Sequence, residues 1–170
     1  MFEITKLFWD ICLLKKAPQD IPYSVWFFRV TVAIYAFTSF LIIYLSTGWW
    51  EAMQQVLVGI VIIVTITLII LLLASKTARF YQTATAILGT DAMINFFAIP
   101  ALATIITGRA SEISNLILFG LMIWQWLISG HIFRNALSAN FPFGLGVALL
   151  YIVISYWVMA TLFPQIVEVR

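Results

Sequence analysis

The sequence predicts an all-α fold: a polytopic integral membrane bundle of five helices, preceded by an N-terminal interfacial amphipathic helix. Three observations predict it. Only 9% of the 170 residues are charged and 64% are hydrophobic, whereas a water-soluble domain carries about 25% charged residues. Five predominantly apolar stretches of roughly 20 residues recur, each able to cross a hydrocarbon core of about 30 Å. The connections between them are short, so sequential helices become antiparallel neighbours with no room for a soluble domain.

The first segment, residues 1–23, is amphipathic. Ile4, Leu7, Phe8, Ile11 and Leu14 recur at three- and four-residue steps, with Glu3, Lys6 and Asp10 on other faces. That spacing places a helix along the inner leaflet with its apolar face in lipid. Lys15 and Lys16 close it, where positive charge suits the helix dipole and anionic headgroups; with Lys6 they are assigned to membrane-surface contact. The segment is read as a membrane foot, with a docking helix for a partner as the alternative. Pro18 and Pro22 bar a continuous helix into the first span, and Ser24 is placed to cap it. No uninterrupted apolar run precedes a small-residue cleavage site, so Met1 is expected to be retained. The single cysteine, Cys12, excludes an internal disulfide and is read as an inert apolar residue, with acylation as the alternative.

Residues 24–170 form the five-span domain, with spans at about 24–46, 53–74, 80–106, 113–133 and 143–163. The first carries Arg29 near its start, and the second is rich in Ile, Val and Leu. The third contains Asp91, Asn95 and Pro100; the missing N–H of Pro100 is expected to kink or end it. With the N-terminus inside, the cytoplasmic side holds Lys6, Lys15, Lys16, Arg29, Lys76, Arg79 and Arg134, and the other side holds Arg109 and Arg170. This bias sets the orientation, N-terminus cytoplasmic and C-terminus outside. Tyr23 and Trp26 at one end of the first span, and Tyr44, Trp49 and Trp50 at the other, fit interfacial belts.

Uncompensated charge in a bilayer is costly, so each intramembrane polar residue needs an account. Asp91 lies about 18 Å beyond Arg79 along the third helix, and Asn95 is one turn further on the same face. On the antiparallel fourth helix Gln125 reaches the same depth, with Ser129 and His131 nearer the cytoplasmic end. A cluster of Asp91, Asn95, Gln125 and His131 is predicted. In low dielectric the acid there finds a donor or takes up a proton. Such a cluster either ties two helices together or serves as steps of a proton or ion path. A path needs polar residues at successive depths, and the outer half offers little beyond Asn95, so the structural role is preferred. Thr85 and Gly89, and Gly144 and Ala148, are small residues four apart that predict helix packing sites. Tyr151 and Ser155 extend the second pair as a polar edge. Trp124, Trp126 and Trp157 lie away from helix ends and are expected between helices.

The same inventory argues against chemistry. The net charge of +2 is scattered, and nucleic-acid binding needs a basic stripe. One histidine cannot supply bis-histidine haem ligation or a His-x-x-Glu-His zinc site, one cysteine cannot build a multi-cysteine zinc or iron–sulfur site, and no nucleophile elbow or phosphate loop appears. No catalytic residue, metal or cofactor is assigned.

A short basic loop leads into Phe80-Tyr81-Gln82-Thr83-Ala84-Thr85-Ala86-Ile87-Leu88-Gly89. Pro100 falls late in the third span, Trp124 and Gly130 in the fourth, and a Gly-rich start opens the fifth. Over residues 26–163 this order resembles the Yip1-like family of five-span membrane proteins. Eukaryotic members look like trafficking factors that associate with small GTPases. The chain has no long cytosolic N-terminal domain of their kind, so GTPase binding is not carried over. The resemblance implies a topology and a non-enzymatic role, and transfers no functional residue. The expected function is a non-catalytic scaffold, assembly or accessory subunit in a bacterial cytoplasmic (inner) membrane. Its expected partners are the lipid bilayer and a membrane protein or a second copy of itself. The alternative is a small proton- or ion-coupled transporter using the Asp91 cluster.

Overall fold

The computed structural model describes residues 2–108 and 112–164. Met1, Arg109 and Arg170, used above for the N-terminus and the charge count, lie outside the described residues. Among those described, the regular structure is entirely helical: α1 (Phe2–Cys12), α2 (Val25–Tyr44), α3 (Trp49–Leu73), α4 (Phe80–Ile106), α5 (Glu112–Leu137) and α6 (Phe141–Leu162), with short 3-10 turns at Pro18–Asp20 and Thr77–Arg79. Helices α2 to α6 are each long and apolar enough to cross a membrane.

Local chemistry sets the ends. Ser24 Oγ accepts the Phe27 N–H at 3.2 Å, and Asn140 Oδ1 accepts that of Phe143 at 3.1 Å, so both helices start on side-chain caps. Helices α1, α3 and α5 end alike, with Leu14, Ser75 and Ser138 at positive φ. The next N–H in each case reaches back five residues: Lys15 to Asp10, Lys76 to Leu71, Ala139 to Arg134. This is the Schellman closure, made here without glycine. Observed bounds differ from expectation mainly where hydropathy is a poor guide to helix length. α3 begins at Trp49, taking Trp49 to Ala52 out of the expected loop, and α5 runs past Arg134 to Leu137. α4 continues through Pro100 to Ile106 rather than ending there.

Helix α4 is the axis of the bundle. Every residue from Thr83 to Gly89, and Thr90 after it, is buried, two full turns covered on all sides. Thr83, Ala84, Thr85, Ala86 and Gly89 are small, which lets neighbours approach closely. Around it, α2 and α5 make the broadest contacts and α3 and α1 smaller ones, while α6 packs along α5 and touches α3. The outer faces are apolar and bare: Leu73 is 84% exposed, Trp26 72% and Ile113 68%. Apolar surface of that extent suits lipid and not water.

The α5–α6 crossing is made by glycine. A Cβ on Gly144 would overlap the Gly130 carbonyl and come within 2.9 Å of the Arg134 nitrogen; one on Gly130 would meet the Leu145 side chain at 2.6 Å. Ala148, one turn past Gly144, is fully buried. Trp126 sits between these helices and donates Nε1–H to the Leu145 carbonyl at 3.1 Å. Trp157, expected between helices, is instead 67% exposed. The buried stripe of α6 is Gly144, Ala148 and Tyr151, and Trp157 stands about 120° round the helix from Tyr151.

Helix α1 corrects an expectation about what covers its apolar face. Phe8, Ile11 and Cys12 are buried within the protein core rather than facing lipid. Phe8 fills the notch over Gly89, where any Cβ would collide with its ring, and lies 6.0 Å from the Phe27 ring. Trp124 on α5 donates Nε1–H to the Cys12 carbonyl at 2.9 Å. The close approach permitted by Thr85 and Gly89 is thus used at Gly89 by α1. Lys6, Lys15 and Lys16 remain exposed.

Candidate functional site

The polar interior is built from spans that each contribute very little. Asp91, itself half-buried, follows the fully buried stretch of α4, on the side that faces the cavity. Gln125 on α5 donates Nε2–H to Asp91 Oδ1, while the other atom of that amide, Oε1, is buried without a partner. One turn above Asp91, Asn95 Nδ2 donates to Ser39 Oγ on α2 at 2.9 Å. These bonds tie α4 to both principal neighbours.

Asp91 and Asn95 line a half-open cavity of about 260 Å³ bounded by α2, α3, α4 and α6. Tyr35 and Ser39 line it from α2, and Tyr151 and Ser155 from α6. Helices α2, α4 and α6 run in the same direction, and each presents two polar residues four apart: Tyr35 and Ser39, Asp91 and Asn95, Tyr151 and Ser155. The i to i+4 spacing stacks each pair on one face about 6 Å apart. The cavity therefore has a lower polar tier of Tyr35, Asp91 and Tyr151 and an upper one of Ser39, Asn95 and Ser155. Gln55 adds an amide from α3, about 9 Å from Trp49 at the end of the bundle opposite the cationic loops. It is 4% exposed, and its Nε2 has no hydrogen-bond partner.

Towards the cationic end the cavity gives way to a close-packed core, in which Thr67, Thr85, Thr90 and Ser129 are buried among apolar side chains. Ile87, Leu88, Ile128, Ile132 and Phe133 are fully buried there, with Phe8 and Ile11 of α1 in the same core. The Phe133 ring lies 5.7 Å from that of Tyr151, so this core abuts the lower polar tier directly.

The four residues predicted as one cluster separate into three settings. Asp91 and Gln125 meet. Asn95 shares the cavity with Asp91 but bonds to α2. His131 belongs elsewhere: it is buried and its Nε2 lies 2.9 Å from the Lys16 carbonyl, which it can only meet as a donor. Six residues separate it from Gln125, about 9 Å along α5, too far for one constellation. The expectation that the outer half holds little beyond Asn95 is also overturned. Tyr35, Ser39 and Gln55 supply what was missing, polar residues scattered through apolar spans and not set apart there from neighbours such as Thr38 and Gln54; Tyr151 and Ser155 were visible only as a packing edge. A signal existed in the shared four-residue spacing on alternate spans.

His131 is part of a second polar assembly, at the cationic end, that fastens the segment between α1 and α2. Gln82 Nε2 donates to the carbonyls of Gln19 and Ile21 at 3.0 and 2.8 Å, and Gln19 Nε2 donates to that of Asn135 at 2.6 Å. Arg79 donates to the Asn135 and Ala136 carbonyls at 3.1 and 3.0 Å, and Lys76 Nζ to that of Leu137. Cations on the last carbonyls of α5 compensate its dipole. This collar is structural in its chemistry: every donor satisfies a backbone carbonyl.

Among the described residues no three His, Cys, Asp or Glu side chains gather as metal ligands. No family model matches the chain, and neither a characterised protein nor a solved structure is significantly similar to it.

Proposed function

We propose that this protein is a non-enzymatic integral membrane protein that binds a small cation at Asp91 and carries it, as a proton- or ion-coupled transporter. The observation that carries the reading is the two-tiered polar cavity with a carboxylate at its inner limit. Ionisable groups within spans mark substrate or ion pathways, and a path needs polar side chains at successive depths. The three stacked pairs supply two such depths, Asp91 at the inner one and Asn95 about 6 Å nearer the end opposite the cationic loops. Beyond it a close-packed core closes the way, as expected of a carrier open to one side. The Lys and Arg distribution favours a cytoplasmic position for the cationic end, and a bacterial inner membrane suits so compact a chain. The cavity would then open outward.

The test is flux in proteoliposomes carrying a pH-sensitive dye, measured under imposed sodium, potassium and pH gradients. Wild type is expected to dissipate at least one gradient. Asp91→Asn is expected to reduce that flux at least tenfold while eluting from size exclusion as wild type does. Equal flux through the folded variant, or none through wild type, removes the reading.

A second reading, an assembly or accessory subunit with the Yip1-like topology noted above, draws on a different observation. Over the first half of α5 nearly the whole circumference is uncovered: Ile113, Leu116, Ile117, Phe119 and Met122 are all exposed, and nothing approaches Gly120. A neighbouring span, from another protein or a second copy, would fit against it.

A further inference from the structure

The lining of the cavity specifies more than a charge. Asp91 favours a cation, and no Lys, Arg or His side chain lines the space to balance an anion. At the other tier Gln55 presents an N–H donor that is buried and unpartnered. A buried donor without an acceptor costs about 1–3 kcal/mol. A bare metal ion or a proton would leave that donor unsatisfied and facing a like partial charge. The ligand that satisfies both ends carries positive charge at Asp91 and an acceptor at Gln55.

Size and chemistry narrow it further. A volume of about 260 Å³ is well above the share of about 30 Å³ that a water takes in the liquid, so a solute of several heavy atoms fits. The phenols and hydroxyls of the two tiers, Tyr35 and Tyr151 among them, accept N–H bonds. A quaternary ammonium has none to give and prefers the faces of an aromatic cage. We infer that the cavity binds a small protonated amine bearing a neutral hydrogen-bond acceptor, of the amino-alcohol class, with its ammonium on Asp91 and its acceptor on Gln55. The ammonium–carboxylate bond is charge-assisted and supplies most of the affinity; the Gln55 bond supplies selectivity, because an amine without an acceptor leaves the donor bare.

This inference rests on the cation-site reading above, and the experiment separates the two. Purified full-length protein is titrated calorimetrically at pH 7 with ethanolamine hydrochloride and with methylammonium chloride. Ethanolamine is expected to bind about tenfold more tightly, the worth of one neutral hydrogen bond. Gln55→Leu is expected to erase that preference and leave methylammonium affinity unchanged, and Asp91→Asn to abolish both. Gln55→Glu, which replaces the donor with an acceptor, is expected to prefer 1,2-diaminoethane over ethanolamine. Equal affinities in wild type, or a preference that survives both Gln55 variants, overturns the amine inference. If no amine binds while Asp91-dependent flux of sodium or protons persists, the cation site stands and the amine class falls. If flux is absent too, both fall.

Discussion

Ser75 holds φ at +55° at the end of α3, where a side chain is strained. A left-handed conformation costs an L-residue about 1–2 kcal/mol relative to glycine, partly offset by the extra chain entropy glycine loses on folding. Ser75→Gly is expected to stabilise the protein by about 0.5–1 kcal/mol, read as a higher midpoint of thermal unfolding in detergent. Unchanged or lower stability would mean that the Lys76 to Leu71 bond is not what ends α3. Single residues carry the candidate site in the same way. Gln55 stands beside Gln54 near the start of α3, and its importance comes from which side of the helix it occupies: Gln54 is exposed and Gln55 is buried. No composition window tells the inward amide of such a pair from the outward one, which is why sequence reading passed over it and over Ser39, which follows Thr38 in the same way. Asp91 and Gln125 were legible because charge and amide at matched depths are rare enough to be noticed without coordinates.

The elements themselves were largely readable. Hydropathy located all five long helices, and Ser24 was identified as a cap from its place before the first of them. What hydropathy could not give is the partner of an amphipathic face. The pattern of Ile4, Leu7, Phe8 and Ile11 calls for an apolar surface, and lipid or a protein groove satisfies it equally; Gly89 and Trp124 decide for the groove. Docking of α1 is measurable through Cys12. Burial pushes its thiol up to about 12, with the negative charge of Asp91 adding to the shift. Raised above its ordinary value of 9.0, the thiol stays protonated below pH 9. The stability it adds is therefore full there and is lost as pH rises from 9 towards 12. At pH 8 maleimide labelling of Cys12 is expected to be at least tenfold slower than after denaturation. Gly89→Leu, which fills the Phe8 notch, is expected to restore fast labelling. Fast labelling of wild type would place α1 away from the bundle.

At the scale of the whole molecule, the bundle divides between a close-packed, collared half at the cationic end and a cavity-bearing half at the other. The expectation of a single cluster at one depth missed this division, because matching depths along two helices says nothing about which neighbours stand between them. Contact between α2 and α4, settled by Asn95 and Ser39, is a three-dimensional fact with no counterpart in spacing. The uncovered half of α5 belongs to this scale too. Purification from native membranes in mild detergent, followed by native mass spectrometry, is expected under the second reading to return a dimer or a stoichiometric complex. Substituting Gly120→Trp is expected to disperse it. A monomer from every detergent leaves the carrier reading without a rival.

The seat of α1 also orders events during synthesis. Trp124 and Cys12, joined by one hydrogen bond, lie 112 residues apart in the chain, and Gly89 follows Phe8 by most of that distance. Helix α1 thus waits, unseated, until the third and fourth spans, which carry Gly89 and Trp124, have been made. Its closing of the cationic half is a late step of biogenesis, and a nascent chain halted before Trp124 would still display Phe8 and Ile11 to the membrane surface.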